Sequence, residues 1–210
     1  MKKTLVLLFV LAFCVSAAIA EQQTLISGKV ENSGYGGVIL RSATVKDKGG
    51  IMLGGEGAWL INRTFFVGGA GVGMVSNLKA SDFNPARNGD LNYAYGGIKA
   101  GMIINSDKLT HPVVHLLVGY GSVGYTPSGG TTTDKSNIMV IEPGVDYEIN
   151  IAPFFRIALG ASYRMVTGVD STAGLNNSDL GGLSLGVTLK WGGFGDNIMP
   201  MMQGPAYQGK

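Results

Sequence analysis

Apolar and polar side chains alternate along most of this chain, with the two-residue period of a β-strand that has one greasy face. Phe155, Ile157, Leu159, Ala161, Tyr163 and Met165 alternate with Arg156, Ala158, Gly160, Ser162 and Arg164. Leu183 to Trp191 sets Leu, Leu, Val, Leu and Trp against Ser184, Gly186, Thr188 and Lys190. Ile141 to Ile149 sets Ile, Pro, Val, Tyr and Ile against Glu142, Gly144, Asp146 and Glu148. Each of the three strands keeps all its charges on one face. The same pattern, less regular, predicts five earlier strands at Tyr35–Lys46, Ile51–Ile61, Phe65–Ser76, Leu91–Ile104 and Val113–Tyr125. No stretch after residue 20 carries an apolar stripe at helical spacing, so the expected class is all-β.

The connections alternate in length. Asn62–Thr64 and Asn150–Pro153 are tight, whereas Asn77–Asp90, Thr126–Ser136 and Gly168–Leu180 are long and polar. Short turns on one side and longer loops on the other are what an up-and-down membrane barrel requires. Asp47–Gly50 is short for its side, and Asn105–His111 is long for its own.

The chain opens like a secretion signal. Lys2 and Lys3 precede an apolar core, Leu5–Phe13, and Ala18-Ile19-Ala20 supplies a small-x-small cleavage pattern. That core is too short to cross a bilayer as a helix, which takes about 20 residues. Residues 1–20 therefore read as a signal peptide and 21–34 as a periplasmic N-terminal segment. The barrel occupies 35–194, and 195–210 reads as a flexible periplasmic tail. Cys14, the chain's one cysteine, lies in the signal, and Phe13 spoils a lipoprotein box there. No disulfide, thiol nucleophile or cysteine metal site is expected in the remainder. Lys2 and Lys3 account for the formal net charge of +2, and a neutral remainder argues against nucleic acid as a partner. Glycine, at 34 of 210 residues, is more than twice its usual ~7%.

Aromatic residues collect at the expected strand ends. Trp59, Phe65 and Phe66 flank the second connection, Tyr147, Phe154 and Phe155 the sixth, and Trp191 and Phe194 close the last strand. Up-and-down strands would bring these eight to one rim, with Tyr93 and Tyr125 at the other. Two such girdles anchor a barrel at both headgroup levels.

With these features in place, residues 35–194 resemble the small eight-stranded outer-membrane β-barrels of Gram-negative bacteria, the OmpA- and OmpX-type superfamily. The resemblance implies an eight-stranded antiparallel up-and-down transmembrane β-barrel, located in the outer membrane. It also implies recognition of the aromatic-ended last strand by the barrel-assembly machinery. The chain departs from the pattern in the sixteen residues after Phe194, too few for a peptidoglycan-binding domain. The superfamily includes adhesins, stabilisers and lipid-modifying enzymes, so the resemblance does not fix an activity.

If the apolar face meets lipid, the charges turn inward: Arg41, Glu56, Lys99, Glu142, Asp146, Glu148, Arg156, Arg164 and Lys190. Five cations against four anions suit a packed ionic plug better than a selective pore. Eight strands also enclose a space only about wide enough for side chains. Gly69, Gly71 and Gly73 share one strand face, and Gly119 and Gly121 share another with His115; turned inward, they would make room for long charged side chains.

Other chemistry finds little support. Gly119-Tyr120-Gly121-Ser122-Val123-Gly124 fits a dinucleotide fingerprint, with Glu142 downstream, but Thr126-Pro127-Ser128-Gly129-Gly130 cannot start the helix that would receive a pyrophosphate. His111 falls in a turn. Ser122 is seven residues from His115 and so on the opposite face, which gives no nucleophile–base pair. No catalytic, cofactor or metal site is expected. The leading reading is a monomeric, non-enzymatic barrel in contact with outer-membrane lipids, with a structural or surface-interaction role. Alternatives are a narrow channel or small-ligand carrier, an envelope lipid-modifying enzyme, and a soluble barrel with its faces inverted.

Overall fold

A computed structural model describes residues 30–127, 130–170, 172 and 174–194. The expected signal peptide, residues 21–29 of the N-terminal segment and the tail 195–210 lie outside the described residues. Eight antiparallel strands follow in order: β1 Asn32–Val45, β2 Lys48–Ile61, β3 Phe65–Met74, β4 Asp90–Ile103, β5 Thr110–Thr126, β6 Thr133–Ala152, β7 Phe155–Thr167 and β8 Gly182–Gly192. Each pairs with the next and β8 pairs with β1, so the sheet closes into a barrel. Closure matters because a sheet edge exposed to hydrocarbon would leave its N–H and C=O groups unpaired. Residues 32–34, expected in the N-terminal segment, are the first residues of β1.

The strands have one face for each medium. Outward positions in the middle of the barrel carry Val38, Leu40, Leu53, Val67, Ile98, Leu116, Val118, Val145, Leu159, Leu185 and Val187, all exposed. Outward charges appear at the loop ends, on Asp90 and Lys135. Away from the loop ends, the charged positions of β1, β2, β4, β6, β7 and β8 face inward and are buried or half-buried. This order is the inverse of a soluble barrel and makes the molecule a transmembrane one. Among the described residues no helix is long and apolar enough to cross a membrane; the strands do the crossing.

Short connections gather at one end. Asn62 and Arg63, both at positive φ, turn β2 into β3, and Asn62 Oδ1 accepts from the Glu31 amide at 2.9 Å. The longer connections gather at the other end, and those after β3 and β7 send apolar side chains down into the barrel mouth. Leu78, Ala80, Phe83, Leu175 and Leu180 are buried from these loops against Ile39, Met52, Tyr93 and Tyr95 of the wall. A one-turn helix, Asn177–Leu180 (α1), carries Leu180 inward; its N-cap Asn176 accepts from the Ser178 and Asp179 amides. The polar composition of these loops had suggested a hydrated surface, and it hid these apolar anchors.

Two expectations about facing are corrected. Gly69, Gly71 and Gly73 point outward, because Phe66, Ala70 and Val72 take the inward positions of β3. Phe66, Tyr93, Tyr125 and Phe194 do not belong to a lipid-facing girdle: their exposures are 3%, 0%, 0% and 5%. Phe66 follows the outward Phe65, and neighbours in a strand point to opposite faces. Tyr93 is six residues from the inward Lys99 and Tyr125 ten from His115, so both share the inward parity. Phe194 lies past the end of β8 and tucks beneath Arg156, whose guanidinium sits 4.0 Å from its ring centre. Trp59, Tyr147, Phe154 and Trp191 are exposed at the short-turn rim, and Phe65 and Phe155 are half-buried there. Tyr120 and Tyr163 are the exposed aromatics towards the loop end.

The facing has a direct test. Leu159→Arg, in the middle of the lipid belt, is expected to destabilise the barrel by about 2–4 kcal/mol, and Thr167→Arg, near the loop end, by about 0–1 kcal/mol. Equilibrium urea unfolding in phospholipid vesicles measures both.

Candidate functional site

The interior is built in three layers. At the short-turn end Tyr35, Leu60, Phe66, Ile103, Val113 and Phe194 form an apolar floor. At the loop end the larger apolar cluster forms a lid. Between them lie the charges, and all nine that the sequence singled out are on the inward face.

The lower part of the charged layer is a connected chain of ion pairs. Lys99 Nζ donates to Glu56 Oε2 at 2.7 Å, and Lys190 Nζ lies 3.4 Å from Glu56 Oε1 while also donating to Glu148. Arg156 reaches Glu148 Oε2 at 3.3 Å. Asp146 sits between Lys99 Nζ, 3.9 Å from Oδ2, and His115 Nε2, 3.3 Å from Oδ1. Three carboxylates therefore face three cations, with no bulk water to screen them. Such a layer is costly to desolvate and holds only if the pairing is complete.

The upper part is different. Arg41 pairs with Glu142, which also accepts from Tyr95 Oη and, at 2.7 Å, from Ser162 Oγ. Arg164 is fully buried, and among the described residues no carboxylate lies within 4 Å of it. Its Nε donates to the Leu180 carbonyl at 2.7 Å, and its Nη atoms reach Tyr95 Oη, Ser184 Oγ and the Thr44 carbonyl at 3.4–3.5 Å. The guanidinium also lies over the rings of Tyr93 and Tyr95, at 5.4 and 5.7 Å. The fifth cation is thus held by carbonyls, hydroxyls and aromatic faces.

Two histidines belong to this layer, although the sequence had placed one in a turn. His111 lies within β5, and its Nε2 is 3.2 Å from Glu148 Oε2 while its Nδ1 faces the Lys108 carbonyl. His115 joins Asp146, and its Nδ1 has no hydrogen-bond partner. Strand parity was the available signal: both share a face with Val113 and Leu117.

Glycines on the inward face make the space. Gly160 stands opposite Asp146, and a Cβ there would lie 2.1 Å from Oδ1. Gly144 stands opposite His115, where a Cβ would lie 2.3 Å from its Cε1. Gly37 sits between Lys190 and Glu56 across two neighbouring strands, and Gly186 faces Arg41. The charged layer and the inward glycines are one packing solution. Beside this layer, among the described residues, lies a cavity of about 20 Å³ bordered by Arg41, His115, Asp146, Ser162 and Ser184. That is room for about one water. Among the described residues no cluster of three or more potential ligands could hold a metal ion.

No protein-family model and no curated protein matches the chain. Among solved structures, Neisserial surface protein A superposes with a TM-score of 0.55 at 11% identity, covering 78% of this chain and 99% of that one. The chain has the fold of the small eight-stranded outer-membrane barrels. Ail, the attachment invasion locus protein of Yersinia pestis, in complex with the heparin analogue sucrose octasulfate, shows 16% identity and a TM-score of 0.46. That likeness covers 79% of this chain and 98% of Ail.

Two substitutions probe the layer. Glu148→Gln keeps the volume but leaves Lys190 and Arg156 short of a charge partner, and is expected to cost about 3–5 kcal/mol. Gly160→Ala forces Asp146 away from His115 and Lys99, with an expected cost of about 1–3 kcal/mol. Unfolding midpoints in detergent–lipid mixtures read out both, and a stability equal to wild type for Glu148→Gln would mean that the pairing contributes nothing.

Proposed function

We propose that this chain is an integral outer-membrane barrel with a structural or surface-presenting role, sealed along its axis. The observation that carries this reading is the filled lumen: a paired ionic layer closed below by an apolar floor and above by a loop-borne lid. A selective pore would need an open path lined by one excess charge. Here the ionic layer leaves a cavity of water size beside His115, and the surplus cation, Arg164, is spent on holding the lid and wall together. The mechanism is therefore mechanical. The apolar belt contacts outer-membrane lipids, the ionic layer holds the wall rigid, and the loops display a compact polar surface outward.

That surface carries charges of both signs, tied to each other: Lys79 pairs with Asp90 at 2.6 Å, and Arg87 with Asp134 at 2.7 Å. The mixture favours a hydrated outer face over a polyanion-binding one. The reading includes a monomer, secreted through a cleaved signal at residues 1–20 and folded by the barrel-assembly machinery. It assigns no catalytic step and no cofactor.

Purified protein in a planar bilayer is expected to show no steady unit currents, and to run at a different mobility on detergent gels before and after boiling. Salt-dependent unit conductance would overturn the sealed lumen. A protein without heat-modifiable mobility, recovered in the soluble periplasmic fraction, would overturn the membrane barrel itself.

A further inference from the structure

The barrel is not closed equally all round. β1 and β8 pair from Tyr35 opposite Gly192 to Arg41 opposite Gly186, and the ladder stops there. Yet β1 continues to Val45 and β8 begins at Gly182. Along Ser42–Val45 and Gly182–Leu185 side chains replace the ladder. Ser42 Oγ donates to the Leu185 carbonyl at 3.1 Å and accepts from the Leu185 amide at 3.0 Å. Arg164 reaches from β7 to the Thr44 carbonyl, to Ser184 and to the Leu180 carbonyl. The next backbone tie is from the Lys46 amide to the Asp179 carbonyl, at 2.6 Å.

The other edge of the same hairpin is also interrupted. β6 pairs with β7 at Ile141–Met165 and again at Gly144–Ser162, but not between, where Pro143 has no amide to donate. On that flank the ladder resumes through Ile141–Met165 to Met139–Thr167, so it is on the β1 side that the outer half of the β7–β8 hairpin is held by side-chain contacts alone. An unpaired backbone edge in the hydrocarbon would cost several kcal/mol per group. This one lies level with exposed Tyr163, which pairs with Leu183, at the depth where aromatic rings mark the headgroup region. At its inner end, where the ladder stops at Arg41 and Gly186, is the small cavity bordered by Arg41, His115, Asp146, Ser162 and Ser184, and this cavity also touches the outward Leu185. His115, whose Nδ1 has no hydrogen-bond partner, is one of its lining residues.

We propose that the outer half of the β1–β8 seam is a side gate. It opens between Ser42–Val45 and Gly182–Leu185 and admits water and small polar solutes from the outer headgroup level to the cavity beside His115. Ser42 is the outer latch and Arg164 the inner one. The access is blind-ended, since the floor and the lower ion pairs lie beneath it, so it is separate from conduction along the axis.

Histidine Cε1–H exchange in D₂O, followed by mass spectrometry on the full chain in bilayers, tests the gate. His115 borders the cavity, while His111, fully buried, is the internal reference. The register carried three residues beyond its end sets Thr44 opposite Leu183, so Thr44→Cys with Leu183→Cys forms a disulfide lock. His115 is expected to exchange at least about tenfold faster than His111 in the unlocked protein, and to slow by a similar factor when the seam is locked. Reduction of the lock restores the faster rate. If the lock leaves the His115 rate unchanged, water arrives through the loops and the gate is refuted. Ser42→Ala, which removes the latch without a cross-link, is expected to speed His115 exchange; an unchanged rate there also overturns the proposal.

Discussion

The fold depends on one constraint: charges placed inside a tube with no room for water must be paired by other side chains of the tube. Five cations and four carboxylates share a lumen about as wide as two side chains end to end. The lower three cations and three carboxylates neutralise one another across β2, β4, β6, β7 and β8. Those contacts tie non-adjacent strands together, which ladder hydrogen bonds cannot do. Strand number sets the barrel's cross-section, and the ion pairs span it.

The glycine content follows from the same constraint. A lysine or glutamate laid across the lumen needs a neighbour without a side chain, and the register supplies one opposite each of several charges: Gly37 by Lys190 and Glu56, Gly160 by Asp146, Gly186 by Arg41. The outward Gly69, Gly71 and Gly73 are a different population. A Cβ on any of them would meet nothing closer than 3.6 Å, so the interior does not require them. Glycine count alone could not separate the two sets; strand parity could.

Parity explains most of what was legible in the sequence and most of what was not. Wherever one face carried every charge, as in Phe155–Met165 and Leu183–Trp191, both the strand and its facing could be read. The inward assignment of Arg156, Arg164 and Lys190 rests on that. The girdle of Tyr93 and Tyr125 was misjudged because position along the strand was used without facing, and an aromatic at a rim can look into the lumen as easily as into lipid. His111 was hidden by Pro112, which reads as a turn signal but sits at an outward position of β5. The loop lid was illegible for another reason: Leu78, Phe83 and Leu180 are isolated apolar residues in polar segments, and only the closed barrel creates the mouth they fill.

Arg164 shows how a charge imbalance becomes a structural device. With one more cation than carboxylates, some guanidinium has to be satisfied by neutral acceptors, and the acceptors with free lone pairs are backbone carbonyls outside a ladder. Those occur where β1 and β8 part company, at Thr44, and where the chain turns through α1 into β8, at Leu180. A fifth inward carboxylate near Arg164 would neutralise it, but would also compete with the carbonyls that hold the wall. The surplus charge and the incomplete ladder are therefore complementary. The ladder's unpaired carbonyls stabilise the cation, and the cation holds together the part of the barrel that the ladder leaves open.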